Sequence, residues 1–376
     1  MVGGHLMLIS GIIAIFTLLA ELQDRARVAD WQLGFIAFVS FVTAVIAQFG
    51  LARFADVGYS RIMMIVGVLL VAVGLVWFAF ADTLWQLIAA RAISGFGIGT
   101  WEPAAKGEIL SQKREDVGRR LGLFASATTA GIVVGPLIAA AVFEITGSLA
   151  APFLVFAVLC LTMIPVLLRM PLANRVSENR ERPRMFALLR RRNVLRSAAL
   201  AAAVILPVGM YEVVWSPLMK DLGASTWLIG VSLAAYGIPF LVVAPFGGAI
   251  GDRFGATTVA FRSAAGMVVV VAVMGFMKTP LMLMIVGVGE AIFNAIAQPN
   301  AHAAMSQATS PEEQASGQGL ASGAGQITAG AMTMLAAALY DQGGQTVVFV
   351  STAALTALVL GLAWMIAPVS EAALTD

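Results

Sequence analysis

Twelve apolar runs, each about as long as a membrane-crossing helix, constrain this chain more than any other feature. A helix needs about 20 mostly apolar residues to traverse ~30 Å of hydrocarbon. Such runs lie near residues 5–23, 33–52, 61–80, 83–105, 121–143, 149–169, 196–218, 227–248, 257–277, 280–304, 315–339 and 345–367. The breaks between them are short and carry charge, Gly or Pro, as in Asp24-Arg25-Ala26-Arg27, Lys220-Asp221-Leu222-Gly223 and Asp341-Gln342-Gly343-Gly344. Only 12% of the 376 residues are charged and 60% are hydrophobic. An average soluble domain is about a quarter charged, so this chain lacks the polar residues to cover a soluble surface. A cytosolic enzyme, a disordered hub and a nucleic-acid binder are excluded, and the lipid bilayer becomes the expected surroundings.

The longest polar stretch, roughly Arg169 to Arg196, separates six runs from six. The expected organisation is an N-terminal six-helix bundle at 1–169, a basic linker at 170–195 and a C-terminal six-helix bundle at 196–376. Within the linker, Met185-Phe186-Ala187-Leu188-Leu189 followed by Arg190-Arg191-Arg192 has the pattern of a short amphipathic helix at the membrane surface. Orientation follows from the basic residues in the loops. Of 23 Lys and Arg, eighteen fall in loops on one side and four on the other, and Arg91 lies inside a span. The richer side is expected to be cytoplasmic, which places both termini inside.

The second half repeats the first at an offset of 196 residues. Trp31-Gln32-Leu33-Gly34 falls on Trp227-Leu228-Ile229-Gly230, Asp56 on Asp252 and Pro103 on Pro299. With six spans per half, both copies share one orientation. Their pseudo-twofold axis then runs along the membrane normal, with a substrate path between the halves.

Four local patterns carry a family resemblance. Gly248-Ala249-Ile250-Gly251-Asp252-Arg253-Phe254-Gly255 follows span 8, and a degenerate copy, Ala52-Arg53-Phe54-Ala55-Asp56-Val57-Gly58-Tyr59-Ser60-Arg61, follows span 2. Span 4 carries Arg91-Ala92-Ile93-Ser94-Gly95-Phe96-Gly97-Ile98-Gly99. Span 5 carries Gly131-Ile132-Val133-Val134-Gly135-Pro136-Leu137-Ile138-Ala139-Ala140. These resemble the major facilitator superfamily, and the span 5 pattern resembles that of its drug/proton antiporters, with alanines in place of the two final glycines. The proline-rich span 1 pattern of many drug exporters is absent, and Ala20-Glu21-Leu22-Gln23 stands there. The resemblance implies an all-α fold of twelve transmembrane helices in two six-helix bundles, working by alternating access.

It also implies roles for particular residues. The loop residues Asp56 and Asp252 would latch the cytoplasmic side of the closed bundles, with Arg253 and Gly255 in the intact copy and Arg53 and Arg61 as stand-ins for the missing basic residue. A carboxylate at a helix end can pair with Arg or cap a neighbouring helix, and breaking such a contact shifts the balance of access states. In span 5, Gly131 and Gly135 with Ala127 and Ala139 form a smooth face, and Pro136 bends the helix. Together they suit a hinge or tight packing surface.

Charges within the spans matter most, because one at the bilayer centre costs about 3 kcal/mol on insertion scales. Glu290 lies in span 10, with Asn294 one turn on. Arg91 lies in span 4 and Glu212 in span 7. In the family fold, spans 1, 4, 7 and 10 line the central cavity, so these residues would face one another there. Desolvation favours the protonated form of a carboxylic acid, and a nearby Arg opposes it. Glu290 and Glu212 are therefore the proton-coupling candidates and Arg91 their modulator. Tyr211, Trp215, Tyr236, Phe293 and Asn294 are candidate cavity residues, and their aromatic faces suit an amphipathic or cationic solute.

The leading expectation is a proton-coupled exporter of a small organic solute in the inner membrane, acting as a monomer. The alternative is a proton symporter or facilitator importing a metabolite. Neither cofactor nor metal is called for. His5 and His302 stand far apart and Cys160 is alone, so a metal cluster has no ligands to draw on. Without a Gly-Lys-Ser/Thr phosphate loop or a Cys–His pair, an ATP-driven pump and a membrane enzyme lack their motifs.

Overall fold

Inside a bilayer a peptide group finds no water, so each crossing segment satisfies its own backbone as a helix. The computed structural model describes residues 1–54, 58–110, 114–170, 185–310 and 313–366. The first half of the sequence forms α1 (Val2–Thr17), α2 (Leu19–Ala26), α3 (Asp30–Phe54), α4 (Ser60–Phe80), α5 (Leu84–Leu110), α6 (Arg114–Thr146), α7 (Ala150–Leu161) and α8 (Met163–Arg169). A 3-10 segment at Met185–Arg190 stands where the amphipathic helix is expected. It leads to α9 (Arg192–Asp221), α10 (Thr226–Val242), α11 (Ala244–Phe254), α12 (Ala256–Met274), α13 (Pro280–Gln307) and α14 (Gln314–Met365).

These helices account for the twelve expected crossings. Eight segments are long and apolar enough by themselves, α7 and α8 together being one, and the bent pairs α1–α2 (56°) and α10–α11 (42°) make ten. Helix α14 has 52 residues; at 1.5 Å per residue it is ~78 Å long, over twice the hydrocarbon thickness. Gly344, at φ 68° and ψ −161°, interrupts it, so α14 supplies spans 11 and 12. The twelfth crossing is α5, 27 residues long, whose Arg91, Glu102, Lys106 and Glu108 lower its apolarity. The bend between α10 and α11 lies between Pro239 and Pro245, each of which removes a backbone donor. By contrast α9 and α13 stay helical through Pro207 and Pro299.

The chain packs as two compact units. One comprises Met1–Asn179, Glu212–Ile238 and Thr333–Asp341; the other comprises Arg180–Tyr211, Pro239–Met332 and Gln342–Asp376. The first unit thus takes in segments of α9, α10 and α14 as well as the first six spans. Lipid tails are as apolar as leucine, so helices here associate through close packing of small residues. Helix α5 shows why its glycines alternate. A methyl group at Gly95 would fall 2.5 Å from Ser40 O, and one at Gly99 would collide with Ala44 O, both on α3. One at Gly97 would meet Val71 on α4 at 2.9 Å. The spacing Gly-x-Gly-x-Gly therefore lets α3 and α4 approach opposite sides of one helix. Around them Leu8, Met64, Val71, Phe78, Trp101 and Phe153 form the buried core.

The repeat is visible in contacts of this first unit. A methyl group at Gly34 would lie 2.5 Å from Thr333 O and 2.7 Å from Ala337 Cβ; one at Gly230 would lie 2.8 Å from Pro136 O and 2.6 Å from Ala140 Cβ. Gly34 and Gly230 are repeat equivalents, and their partners are related by nearly the same offset. The Ala20 N–H donates to Ser216 Oγ at 3.3 Å, and Lys220 Nζ donates to Asp24 Oδ2 at 2.7 Å. Each of these pairs is separated by 196 residues. A position that touches its own equivalent lies on the symmetry axis, so the axis runs where α2 meets α9. In the second unit Val194, Leu200, Phe261, Met305 and Leu320 are buried together, and Arg196 stacks over Phe261 at 5.2 Å.

Candidate transport site

The second half of helix α9 carries a polar stripe. Glu212, Ser216 and Lys220 stand at i, i+4 and i+8, which places them on one face. All three meet helices from the first half of the sequence. Glu212 Oε1 accepts from Arg91 Nη2 of α5 at 2.5 Å. Ser216 Oγ donates to Thr17 O at 3.2 Å. Lys220 Nζ reaches Glu21 Oε1 at 2.9 Å and Asp24 Oδ2 at 2.7 Å. The stripe is the feature that sequence reasoning missed; its signal was the four-residue spacing that links Glu212 to two further polar residues.

The Arg91–Glu212 pair is the buried centre of this arrangement. Side-chain exposure is 3% for Arg91 and 7% for Glu212. Arg91 is one turn before Gly95, whose approach to α3 sets its position, and its guanidinium lies 4.8 Å from the Phe16 ring centroid. Its Nη1 finds no hydrogen-bond acceptor among the described residues. Removing one partner of such a buried pair costs about 3–5 kcal/mol, because the other charge is stranded.

Toward the loops that join spans 1–2, 7–8 and 11–12, the contact becomes a ring of exchanged charges. Besides the Lys220 bridges, Thr226 Oγ1 donates to Glu21 Oε1 at 3.3 Å and Tyr340 OH to Asp221 Oδ2 at 2.5 Å. Arg25 donates to the carbonyls of Phe78 and Ala79 and pairs with Asp82 at 3.4 Å.

Glu290 belongs to the second unit. It is wholly buried on α13, and Asn294 Nδ2 donates to its Oε1 at 3.4 Å. The aromatic candidates are distributed over both units. In the first, Trp215 is 4% exposed and donates to Ser232 Oγ at 2.8 Å, and Tyr236 is half-buried on α10. In the second, Tyr211 donates to Met274 Sδ at 3.6 Å, and the Phe293 ring lies against Gly266.

The sequence matches the profile of the Major Facilitator Superfamily over residues 1–227 and 198–375. The chain belongs to that superfamily. "Multidrug resistance protein MdtG" of Rahnella sp. (strain Y9602) is 24% identical over 261 residues, covering 66% of this chain and 63% of that protein. The "Synaptic vesicular amine transporter" of Bos taurus is 26% identical over 205 residues, covering 53% and 39%. Each match spans less than two thirds of the relative's length. Among solved structures, a bacterial homolog to the human lysosomal transporter Spinster, in an inward-facing and occupied conformation, superposes with a TM-score of 0.82 at 12% identity, over 97% of this chain and 94% of that one. This protein is therefore a multi-pass membrane protein of the major facilitator fold.

The superfamily's loop positions are only partly described. Asp56 and the side chain of Arg53 lie outside the described residues. Arg61 donates to Leu168 O at 3.3 Å and Met170 O at 2.7 Å, capping the end of α8. Asp252 is exposed at the end of α11, Arg253 stacks on its neighbour Phe254 at 5.2 Å, and Gly255 ends the helix at φ 87°. In α6 the smooth face rests on α1: a methyl group at Gly131 would meet Ile9 at 2.9 Å, and one at Gly135 would meet Ser10 O at 2.6 Å. The contact of α6 with the second repeat uses other residues. Pro136 O lies against Gly230, and Val133 against Gly237, both on α10.

His5 is a polar centre that the sequence reading considered only as a metal ligand. It is 1% exposed and stacks on Phe124 at 3.8 Å. Trp101 Nε1–H donates to its Nδ1 at 3.2 Å. The ring hydrogen therefore sits on Nε2, which donates to Thr128 Oγ1 at 2.8 Å. This links α1, α5 and α6.

Proposed function

We propose that this transporter exports a small organic solute, amphipathic or cationic, in exchange for protons. It acts as a monomer in the inner membrane with both termini in the cytoplasm, and its two six-span repeats alternate access to a site between them. The observation that carries this reading is the buried Arg91–Glu212 pair, which joins span 4 of one repeat to span 7 of the other.

A proton on Glu212 cancels the carboxylate charge and strands Arg91 without a counter-ion, which costs several kcal/mol in a dry interior. The contact between α5 and α9 then weakens. The stripe continues through Ser216 to the Lys220 bridges, so loosening one end favours release of the other. Loss of the proton restores the pair. Glu290 serves as a second proton carrier, and Asp56, Asp252 and their basic neighbours latch the opposite, cytoplasmic face. Gly131, Gly135 and Pro136 give α6 its hinge-like surface. The aromatic candidates supply faces for a cation or an apolar ring. The span 5 pattern and the names of the curated relatives support export, and the Lys/Arg distribution supports the orientation.

Purified protein in proteoliposomes under imposed pH gradients of either sign tests the proposal. Export coupling predicts that an organic cation moves opposite to the proton flow. Movement with the proton flow establishes the importing symporter instead. Wild-type coupling in both Glu212→Gln and Glu290→Gln rejects these residues as proton carriers.

A further inference from the structure

The second unit contains a cavity of about 180 Å³ between α9, α13 and α14. A cavity of about 150 Å³ lined by Leu, Ile and Phe holds one benzene ring, so this one has room for a six-membered ring. Its walls differ. Val204 and Ile205 of α9 form an apolar side, while Gln298, His302, Ser322 and Gln326 supply amides, an imidazole and a hydroxyl. Among the described residues, no Asp, Glu, Lys or Arg lines it.

The hydrogen-bond pattern sets the polarity of the imidazole. Gln318 Nε2 donates to His302 O at 2.9 Å and to Ser306 Oγ at 2.8 Å. Its Oε1 is then the atom 2.7 Å from His302 Nδ1, so Nδ1 carries the hydrogen. The other ring nitrogen, Nε2, is left as the acceptor of the imidazole, and His302 lines the cavity. A charged group placed here would lose its hydration without meeting an opposite charge. A ring with one neutral donor would keep its apolar face on α9 and give its hydrogen to the polar wall.

We infer that this cavity is a binding site for an uncharged six-membered ring bearing an O–H or N–H donor. The inference deepens the proposed export function, on which it rests for its physiological meaning, by naming the uncharged part of the solute. Fluorine NMR of the full chain in detergent, with empty micelles as reference, tests it. The probes are 4-fluorophenol, fluorobenzene and 4-fluorobenzylammonium. The expected result is saturable binding of 4-fluorophenol at least about tenfold tighter than that of either other probe, falling about tenfold in His302→Leu, which nearly keeps the volume and removes the acceptor. Gln298→Leu is the second variant should the first lose its fold by thermal denaturation. Fluorobenzene or 4-fluorobenzylammonium binding as tightly as 4-fluorophenol overturns the inference, as does wild-type affinity in the folded variants. Glu212→Gln separates the two claims, because it should abolish proton coupling and leave 4-fluorophenol binding intact. A wild-type protein that binds 4-fluorophenol but moves no solute against a pH gradient defeats the export reading alone.

Discussion

Helices α5 and α13 hold the same register in the two repeats, yet their polar residues have diverged. At the offset of 196, Pro103 matches Pro299, Glu102 matches Gln298 and Lys106 matches His302. In α5, Lys106 Nζ meets Glu102 Oε2 at 2.8 Å, one turn away, and Arg91 closes on Glu212. In α13 the equivalent turn is uncharged and borders a cavity. Arg91 itself corresponds to Gly287, and Glu290 to Ser94. Duplication kept the helix register and its proline, although Gly95, Gly97 and Gly99 fall on Ala291, Phe293 and Ala295. It left the polar side chains free to take different tasks, ion pairing in one copy and neutral hydrogen bonding in the other.

The largest effect should come from breaking the charged side of this comparison. Arg91→Leu should cost about 3–5 kcal/mol by stranding Glu212, and the double variant with Glu212→Leu should recover much of the loss. Thermal unfolding in detergent checks this, and a double variant as unstable as the single one would refute the pairing account. Next come the shared backbone contacts. Gly34→Ala and Gly230→Ala should each cost about 1–3 kcal/mol, because the new methyl meets a backbone carbonyl. A neutral result at one site alone would confine the twofold equivalence to sequence. Lys220→Gln should cost about 1 kcal/mol or less, and the difference should shrink in high salt if exposed charges are responsible.

Transplanting the α5 turn onto α13, with Gln298→Glu and His302→Lys together, should cost about 1 kcal/mol, because Gln318 loses its imidazole partner. It should also abolish 4-fluorophenol binding. Retained binding would show that the neutral lining is not what selects the ligand. The smallest effect concerns the link after α13, where Arg191 clasps Glu313 at 2.6 Å. The Arg191 hydrogen bond holds the Glu313 carboxyl below its ordinary range. A depressed value in the folded state stabilises at neutral pH and is lost as pH falls through it. The melting difference between wild type and Glu313→Gln should therefore be constant near neutrality and vanish in acid.

Much of this was legible along the chain. Arg91, Glu212 and Glu290 declared themselves because charges in apolar runs are costly, and all three are buried as side chains. Gly34 and Gly230 stood out as matched landmarks before their role in close approach was visible. The choice of Glu212 as the partner of Arg91 was not legible, because Glu290 had equal claim on charge alone. Ser216 and Lys220 passed unnoticed because each is unremarkable singly, and only the helical period joins them to Glu212. His5 was invisible for a similar reason: its partners Trp101 and Thr128 come from other helices, and no local pattern points to them.

Helix content, the twelve crossings and the repeat register are sums of local preferences. Hydropathy acts residue by residue, and a glycine or proline constrains its own turn, so composition and spacing along one strand of sequence settle them. Pairing between Arg91 and Glu212 joins residues 121 positions apart. It depends on how far each helix rotates and how closely its neighbours approach, which is the collective outcome of every packed side chain. The same holds for the cavity beside His302, whose volume is what three helices leave unfilled. Those features belong to the tertiary structure alone.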